Sequence, residues 1–280
     1  MLKDTVVLYH NNCTDGFSGA WAARKKFGKR ADYLGVIHHE PPPPGLDGKD
    51  VFIIDFSYSK ETTGTLLDIT KSLTLIDHHI TSKEVTESIP NHVFDNDHSG
   101  AVLAWEYFFP GEKTPVYLEY VEDIDLWRFD MSRAEDFLAF SATVPFDFEK
   151  LDAIIEEFED ENKRKAFLGK GKDLLEYQIR LVEEMIEEGE EVNLDGFRAL
   201  VVNSPVLPSQ LGNTIVRKGY DIGIIWAHSN DVIRVSLRSD KDGKVNVGDI
   251  AQKYGGGGHK SAAGFVVRDE SEFPWQTKNT

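Results

Sequence analysis

DVFIIDFSYSKETTGTLLDITKSLTLIDHH, residues 50–79, holds two short β-branched apolar runs, DVFIIDF (50–56) and LTLIDHH (73–79), on either side of the amphipathic segment SKETTGTLLDITK (59–71). Strand, crossover helix and strand within about 30 residues is a βαβ unit, which sets both strands parallel in one sheet. The pattern extends towards the N-terminus, where TVVLYH (5–10) precedes the amphipathic DGFSGAWAARKKFG (15–28). The first 130 residues are therefore expected to form an α/β domain, a mostly parallel sheet with flanking helices. His10, Asp55 and Asp77 each fall at or just past the C-terminal end of an expected strand, the edge along which open α/β sheets bind ligands. Pro41 to Pro44 read as a stiff surface connector within this domain.

From about Phe148 to Val192 the chain turns helical and highly charged, with Leu174, Leu175, Ile179, Leu181, Val182, Met185 and Ile186 at near-helical spacing. One or two helices joining two domains are expected there. A second unit follows: strand FRALVVN (197–203), a helix around 209–218, strands DIGIIWA (221–227) and VIRVSLRSD (232–240), helix VGDIAQKY (247–254) and GGGGHKSAAGFVV (255–267). These make a smaller C-terminal α+β domain. The expected division is 1–147, a helical connector over 148–195, and 196–280.

Of the 280 residues, 48 are acidic and 31 basic, a formal charge of −17. That balance excludes a protein that coats long nucleic acid by charge alone. It leaves room for a small phosphorylated substrate, because bound cations bring positive charge that the residue count omits. The lone Cys13 cannot form an intrachain disulfide, and MLKDTVVLYH lacks the pattern of a signal peptide, so a cytoplasmic location is expected. No apolar run approaches the roughly 20 residues of a spanning helix, so no membrane association is expected.

The densest chemistry-bearing set is His10, Asp15, Asp55, Asp77, His78, His79 and Asp123. Oxygen ligands mixed with imidazole suit Mn²⁺, Mg²⁺ or Zn²⁺, and a two-metal site needs a shared carboxylate flanked by ligands on both sides. Asp55, ending a central strand, is the candidate for that bridge. Taken singly, an Asp after a strand is more often a helix N-cap than a ligand. Adjacent histidines directly after an apolar strand, as in LIDHH, have no packing purpose.

VVLYHNNCTDGFSGA (6–20), VFIIDFSYS (51–59), LIDHH (75–79) and the late GGGGHKSAAGF (255–265), in this order and at these separations, resemble the Asp-His-His (DHH) phosphoesterase superfamily with its associated C-terminal substrate-binding domain. That family includes RecJ-like exonucleases and nanoRNases. The resemblance implies that His10 and Asp55 hold one metal while Asp15, Asp55, His78 and Asp123 hold the other. His79 would face the scissile phosphate, with Asp77 orienting the histidines. EDIDLWRF (122–129) offers both Asp123 and Asp125 for the fourth motif, and the spacing to Trp127 selects Asp123. The family usually carries an Asp where this sequence has Cys13. A thiolate is a softer ligand, so the first metal would be weaker or different there; alternatively Cys13 only packs. His38 and His39 lie outside the strand-end pattern and read as surface or packing residues.

In GGGGHKSAAGF, the four glycines offer bare backbone N–H groups and His259 and Lys260 add donors suited to a phosphate. The resemblance implies that Arg238, Gly256, Gly257, Gly258 and His259 bind the substrate's terminal phosphate; Arg234 shares the sheet face of Arg238. The expected activity is phosphodiester hydrolysis of short oligonucleotides or small nucleotides by two-metal water activation, with Mn²⁺ first and Mg²⁺, Co²⁺ or Zn²⁺ as alternatives. A RecJ-like 5′ to 3′ exonuclease, or a nucleotide-binding module with a decayed site, are the other readings. Monomer and homodimer remain open.

Overall fold

The computed structural model describes residues 2–37 and 40–277, so His38 and His39 lie outside the described residues. The apolar runs form β1 (Thr5–His10), β3 (Asp50–Ile54) and β4 (Ser72–Asp77), joined by β2 (Ala31–Val36) and β5 (Asn91–Phe94). All pair in parallel in the order β2-β1-β3-β4-β5, which puts β3 at the centre. Val7, Ile54 and Ile76 face the helices α1 (Thr14–Phe27), α4 (Gly100–Phe108) and α5 (Val116–Asp125). Val6, Leu8, Ile53 and Leu75 face the other layer, α2 (Lys60–Ile69) and the region of α3 (Lys83–Glu87). Both faces are covered, which is why these strands read as continuous apolar runs rather than alternating ones. Trp21 of α1 stacks on Trp105 of α4 at 5.7 Å, fixing that pair of helices under the site.

The chain divides into two compact units, Met1–Leu175 and Glu176–Thr280. The division falls inside the segment expected to connect two domains, 148–195. Leu151, Ile155 and Phe158 of α7 (Phe148–Phe158) join the N-terminal core, where Phe137 of α6 (Ala134–Ser141) packs edge-on to Tyr117 and Phe158. The long α8 (Glu161–Glu187) contains the division. Leu168 belongs to the first core, while Val182 and Ile186 pack with Leu200, Leu211 and Ile225 in the second. An amphipathic stripe gains by burial against whichever core it reaches, so the segment is absorbed from both ends. Gly171 of α8 sits so close to Asp136 that an added Cβ would meet its carbonyl oxygen at 1.9 Å.

The second unit is a mixed sheet ordered β10-β11-β9-β8-β7-β6-β12. Its strands are β6 (Glu190–Leu194), β7 (Phe197–Asn203), β8 (Ile222–Ser229), β9 (Val232–Arg238), β10 (Gly257–Gly258), β11 (Ala262–Val267) and β12 (Gln276–Thr277). The helix α9 (Pro208–Arg217) covers one face and α10 (Val247–Lys253) the other. No helix among the described residues is long and apolar enough to cross a membrane.

Candidate metal centre

Three strand ends and two helix ends converge on one carboxylate. Asp55 follows β3 with φ +66, a left-handed conformation that Asp tolerates better than most residues, and its side chain is buried. His10, ending β1, brings Nδ1 to 3.4 Å from Asp55 Oδ2. His78, just past β4, brings Nε2 to 3.2 Å from Asp55 Oδ1, 3.5 Å from Asp125 Oδ2 and 3.8 Å from Asp15 Oδ2. Asp15, in the first turn of α1, accepts the N–H of Gly100 at 2.7 Å and of Ala101 at 2.9 Å, so the start of α4 holds it in place. Donor atoms of His10, Cys13 and Asp55 lie within 4.8 Å of one another, and so do those of Asp15, His78 and Asp125.

The arrangement is poor as a hydrogen-bonded network and good as a ligand set. Both Asp55 oxygens and His78 Nε2 are buried without a hydrogen bond, because the neighbouring nitrogens and oxygens are near but misaligned. Buried polar atoms are rarely left in that state unless something else satisfies them. Burial raises the pKa of Asp15, and the charges of Asp55 and Asp125 raise it further. Asp125 is raised by burial and then by Asp55. Burial opposes the Asp55 charge too, yet His10 and His78 hold its carboxyl well below the ordinary range. Three carboxylates converging in this way repel one another, and cations among them would turn that cost into binding. The donor set therefore fits divalent metal, with Asp55 between the two groups.

Asp77 has a different job. Fully buried, it accepts the N–H of His78 at 2.8 Å and of His79 at 3.2 Å, and the ring Nδ1 of His79 lies 2.8 Å from the same oxygen. Its other oxygen takes the hydroxyl of Ser82. The contact with Asp77 raises the His79 pKa to about 9, and the Nε2 edge of that half-exposed ring is left for a ligand.

Asp123 does not join the cluster. Its carboxylate accepts the N–H of Asp130 at 2.9 Å and of Met131 at 3.1 Å, and so pins the chain after α5. The place it was expected to fill is taken by Asp125. Residues 123 and 125 are about 200° apart on a helix, so only one can point at the cluster. Sequence reasoning also missed Gly16, Gly100 and Ser82. An added Cβ at Gly16 would meet the His10 carbonyl oxygen at 2.5 Å, and at Gly100 would meet Asp15 Oδ2 and Asp55 Cβ at 2.8 Å each. Their signal was present as DGFSGA and HSGA, glycines opening helices next to site residues.

In the second unit, Arg238 and His259 fall in one row across the sheet. Ala262 pairs with Arg238, and its N–H and carbonyl exchange hydrogen bonds with His259 at 3.3 and 2.8 Å. The Arg238 stem lies over Gly212 of α9, where a Cβ would come within 2.5 Å, and its guanidinium donates to Ser209 Oγ at 2.8 Å. The glycines divide their roles. Gly256 already donates its N–H to Ala251 at 2.9 Å, and with Gly258 it serves close packing on β11. Gly256 is thus not the free backbone donor expected of it. Gly257 alone of these three faces open space.

Cys13 lies among the candidate ligands of the first group, with its thiol pKa raised by burial and then by Asp55 and Asp15. Such a thiol stays neutral until a cation displaces its proton. Cys13→Asp is expected to bind Mn²⁺ more tightly than the natural protein, and Cys13→Ser at least about 10-fold more weakly, the loss that even an outer-shell change causes. Mn²⁺ titration measures both; equal affinities in all three forms would leave Cys13 a packing residue.

Residues 202–275 match the DHHA1 domain family. Along 94% of its length the chain is 26% identical to oligoribonuclease NrnB of Bacillus subtilis, of which it covers 73%. A pGpG-specific phosphodiesterase, PggH of Vibrio cholerae, superposes with TM-score 0.55 at 18% identity over 96% of this chain and 95% of that one. RecJ of Thermus thermophilus, solved in complex with Mn²⁺, superposes with TM-score 0.55 at 16% identity, again over 96% of this chain but only 50% of RecJ. These likenesses carry the fold of both units.

Proposed function

The chain belongs to the DHH phosphoesterase superfamily with its associated C-terminal domain, and on that premise we propose that it is a divalent-metal-dependent phosphodiesterase of short oligonucleotides or small nucleotides. The observation that carries the reading is Asp55, a buried carboxylate with both oxygens unsatisfied and a group of candidate ligands on either side. His10, Cys13 and Asp55 would hold one ion, and Asp15, Asp55, His78 and Asp125 the other. When bound, divalent cations supply Lewis acidity, neutralising phosphoryl charge and lowering the pKa of water. The protein's own contribution is orientation and charge. Asp77 fixes the His79 ring, whose Nε2 edge would donate to a phosphoryl oxygen as negative charge builds there. Arg238, Gly257 and His259 would take the terminal phosphate of the substrate.

Short substrates are supported by the names of NrnB and PggH, an oligoribonuclease and a pGpG-specific phosphodiesterase. The charge of −17 disfavours grip along a polyanion. The test is turnover of dinucleotides, 5′-phosphorylated oligonucleotides of increasing length, cyclic dinucleotides and nucleoside bisphosphates, each with Mn²⁺, Mg²⁺, Co²⁺ and Zn²⁺. Rates should be highest for the shortest substrates with Mn²⁺ and vanish on chelation. Faster degradation of long single strands would replace the reading with a RecJ-like exonuclease, and tight nucleotide binding without turnover would replace it with a binding module.

A further inference from the structure

The two most exposed large apolar side chains among the described residues each follow a candidate ligand by two residues. Trp127 is 70% exposed and lies two residues after Asp125; Ile80 is 67% exposed and directly follows His79. Burial of apolar surface is the main driving force of folding, so an indole left in water two residues from a candidate ligand needs a reason that packing does not supply.

The segment carrying Trp127 is held rather than loose. Trp127 and Phe129 adopt φ values of +53 and +54, a left-handed conformation that bulky side chains rarely take and that persists only when the surroundings enforce it. Asp123 does the enforcing. Its carbonyl oxygen accepts the N–H of Arg128 at 3.0 Å and of Phe129 at 3.4 Å, while its carboxylate takes the next two N–H groups. Phe129 packs against the N-terminal core and meets the indole edge-on at 5.4 Å, so one ring anchors the segment and braces the other. Between them, Arg128 pairs with Glu122 at 3.3 Å, and the same carboxylate accepts the N–H of Ser99 and lies 3.0 Å from His98 Nδ1. The segment is thereby tied to the start of α4, the helix end whose amides hold Asp15.

We propose that Trp127 is the platform on which a nucleobase flanking the reacting phosphate stacks. An exposed aromatic face on a held backbone, two residues from a candidate metal ligand, matches the two recognisable parts of a nucleotide, its charge and its planar base. Stacking is tolerant of sequence, because every base has a π-face. It also rewards a pre-set ring, since little freedom is lost on binding. The proposal rests on the phosphodiesterase reading above and names the part of the substrate that reading leaves unplaced.

The test compares natural protein, Trp127→Phe and Trp127→Ala on one dinucleotide and on two analogues, each lacking one of its bases. Trp127→Ala should lower kcat/KM on the dinucleotide by about 5- to 150-fold, the range seen when a stacking ring is removed. Trp127→Phe should recover most of it, and one of the two analogues should be cleaved equally by all three proteins. Equal loss on the dinucleotide and both analogues, or no loss at all, overturns the platform. If the natural protein cleaves none of them, the activity reading has failed and stacking is decided by binding alone. Quenching of tryptophan fluorescence by the dinucleotide should then be present in the natural protein and lost in Trp127→Phe; identical quenching in both would overturn it.

Discussion

Asp55→Asn is expected to abolish turnover and to reduce bound metal, with a larger effect than any other single ligand change. The amide keeps the size of the side chain, and Asn is at home in the left-handed conformation that Asp55 adopts, so the backbone at the end of β3 should be preserved. What disappears is the negative charge on which His10 and His78 converge at 3.4 and 3.2 Å. A carboxylate placed between two groups of candidate ligands serves both, whereas His10 or Asp125 serves one. Since loss of an outer-shell partner costs about 10- to 100-fold, loss of the shared ligand should cost on the order of 10³-fold or more in kcat/KM. Mn²⁺ stoichiometry by equilibrium dialysis, and the rise in Tm on adding Mn²⁺, should fall with it. An Asp55→Asn protein that keeps its metal and its rate would remove Asp55 from the bridge.

The second large effect separates two aspartates that are neighbours in sequence and opposites in structure. Asp125→Asn should lose about 10²-fold or more in activity, as expected when a ligand is lost rather than its support, while the metal-free protein is no less stable. Its ionisation is already opposed by burial and by Asp55, so removing the charge relieves repulsion. Asp123→Asn should do the reverse. One of its oxygens becomes an NH₂ that faces a backbone N–H, so a part-buried hydrogen bond to Asp130 or Met131 is lost, at a cost of about 0.5–1.5 kcal/mol. Thermal unfolding and Mn²⁺ binding on the two variants decide the assignment: a stable Asp123→Asn with impaired metal binding would return Asp123 to the ligand set.

That pair also marks where reading along the chain stops being sufficient. EDIDLWRF announces an acidic site residue, but the choice between its two aspartates depends on the facing of α5 and on what its last turn meets. Asp123 meets the returning backbone at 130–131, and Asp125 meets His78. Gly16 and Gly100 are a similar case, since the space each leaves open is defined by side chains far away in the sequence. In the glycine run, composition shows four residues without side chains, whereas pairing with β11 shows which of them are spent on packing.

The sequence by itself determined the parallel sheet, the strand ends at His10, Asp55 and Asp77, and the presence of a second α+β unit. Period and apolar run length are local properties, and strands buried on both faces display them without help from distant residues. Tertiary structure alone decided how α8 is shared between the two cores, which aspartate of α5 joins the cluster, and that Trp127 stands exposed. Those outcomes depend on which groups meet across the fold, because a carboxylate becomes a ligand or a backbone clamp according to the partner that reaches it first.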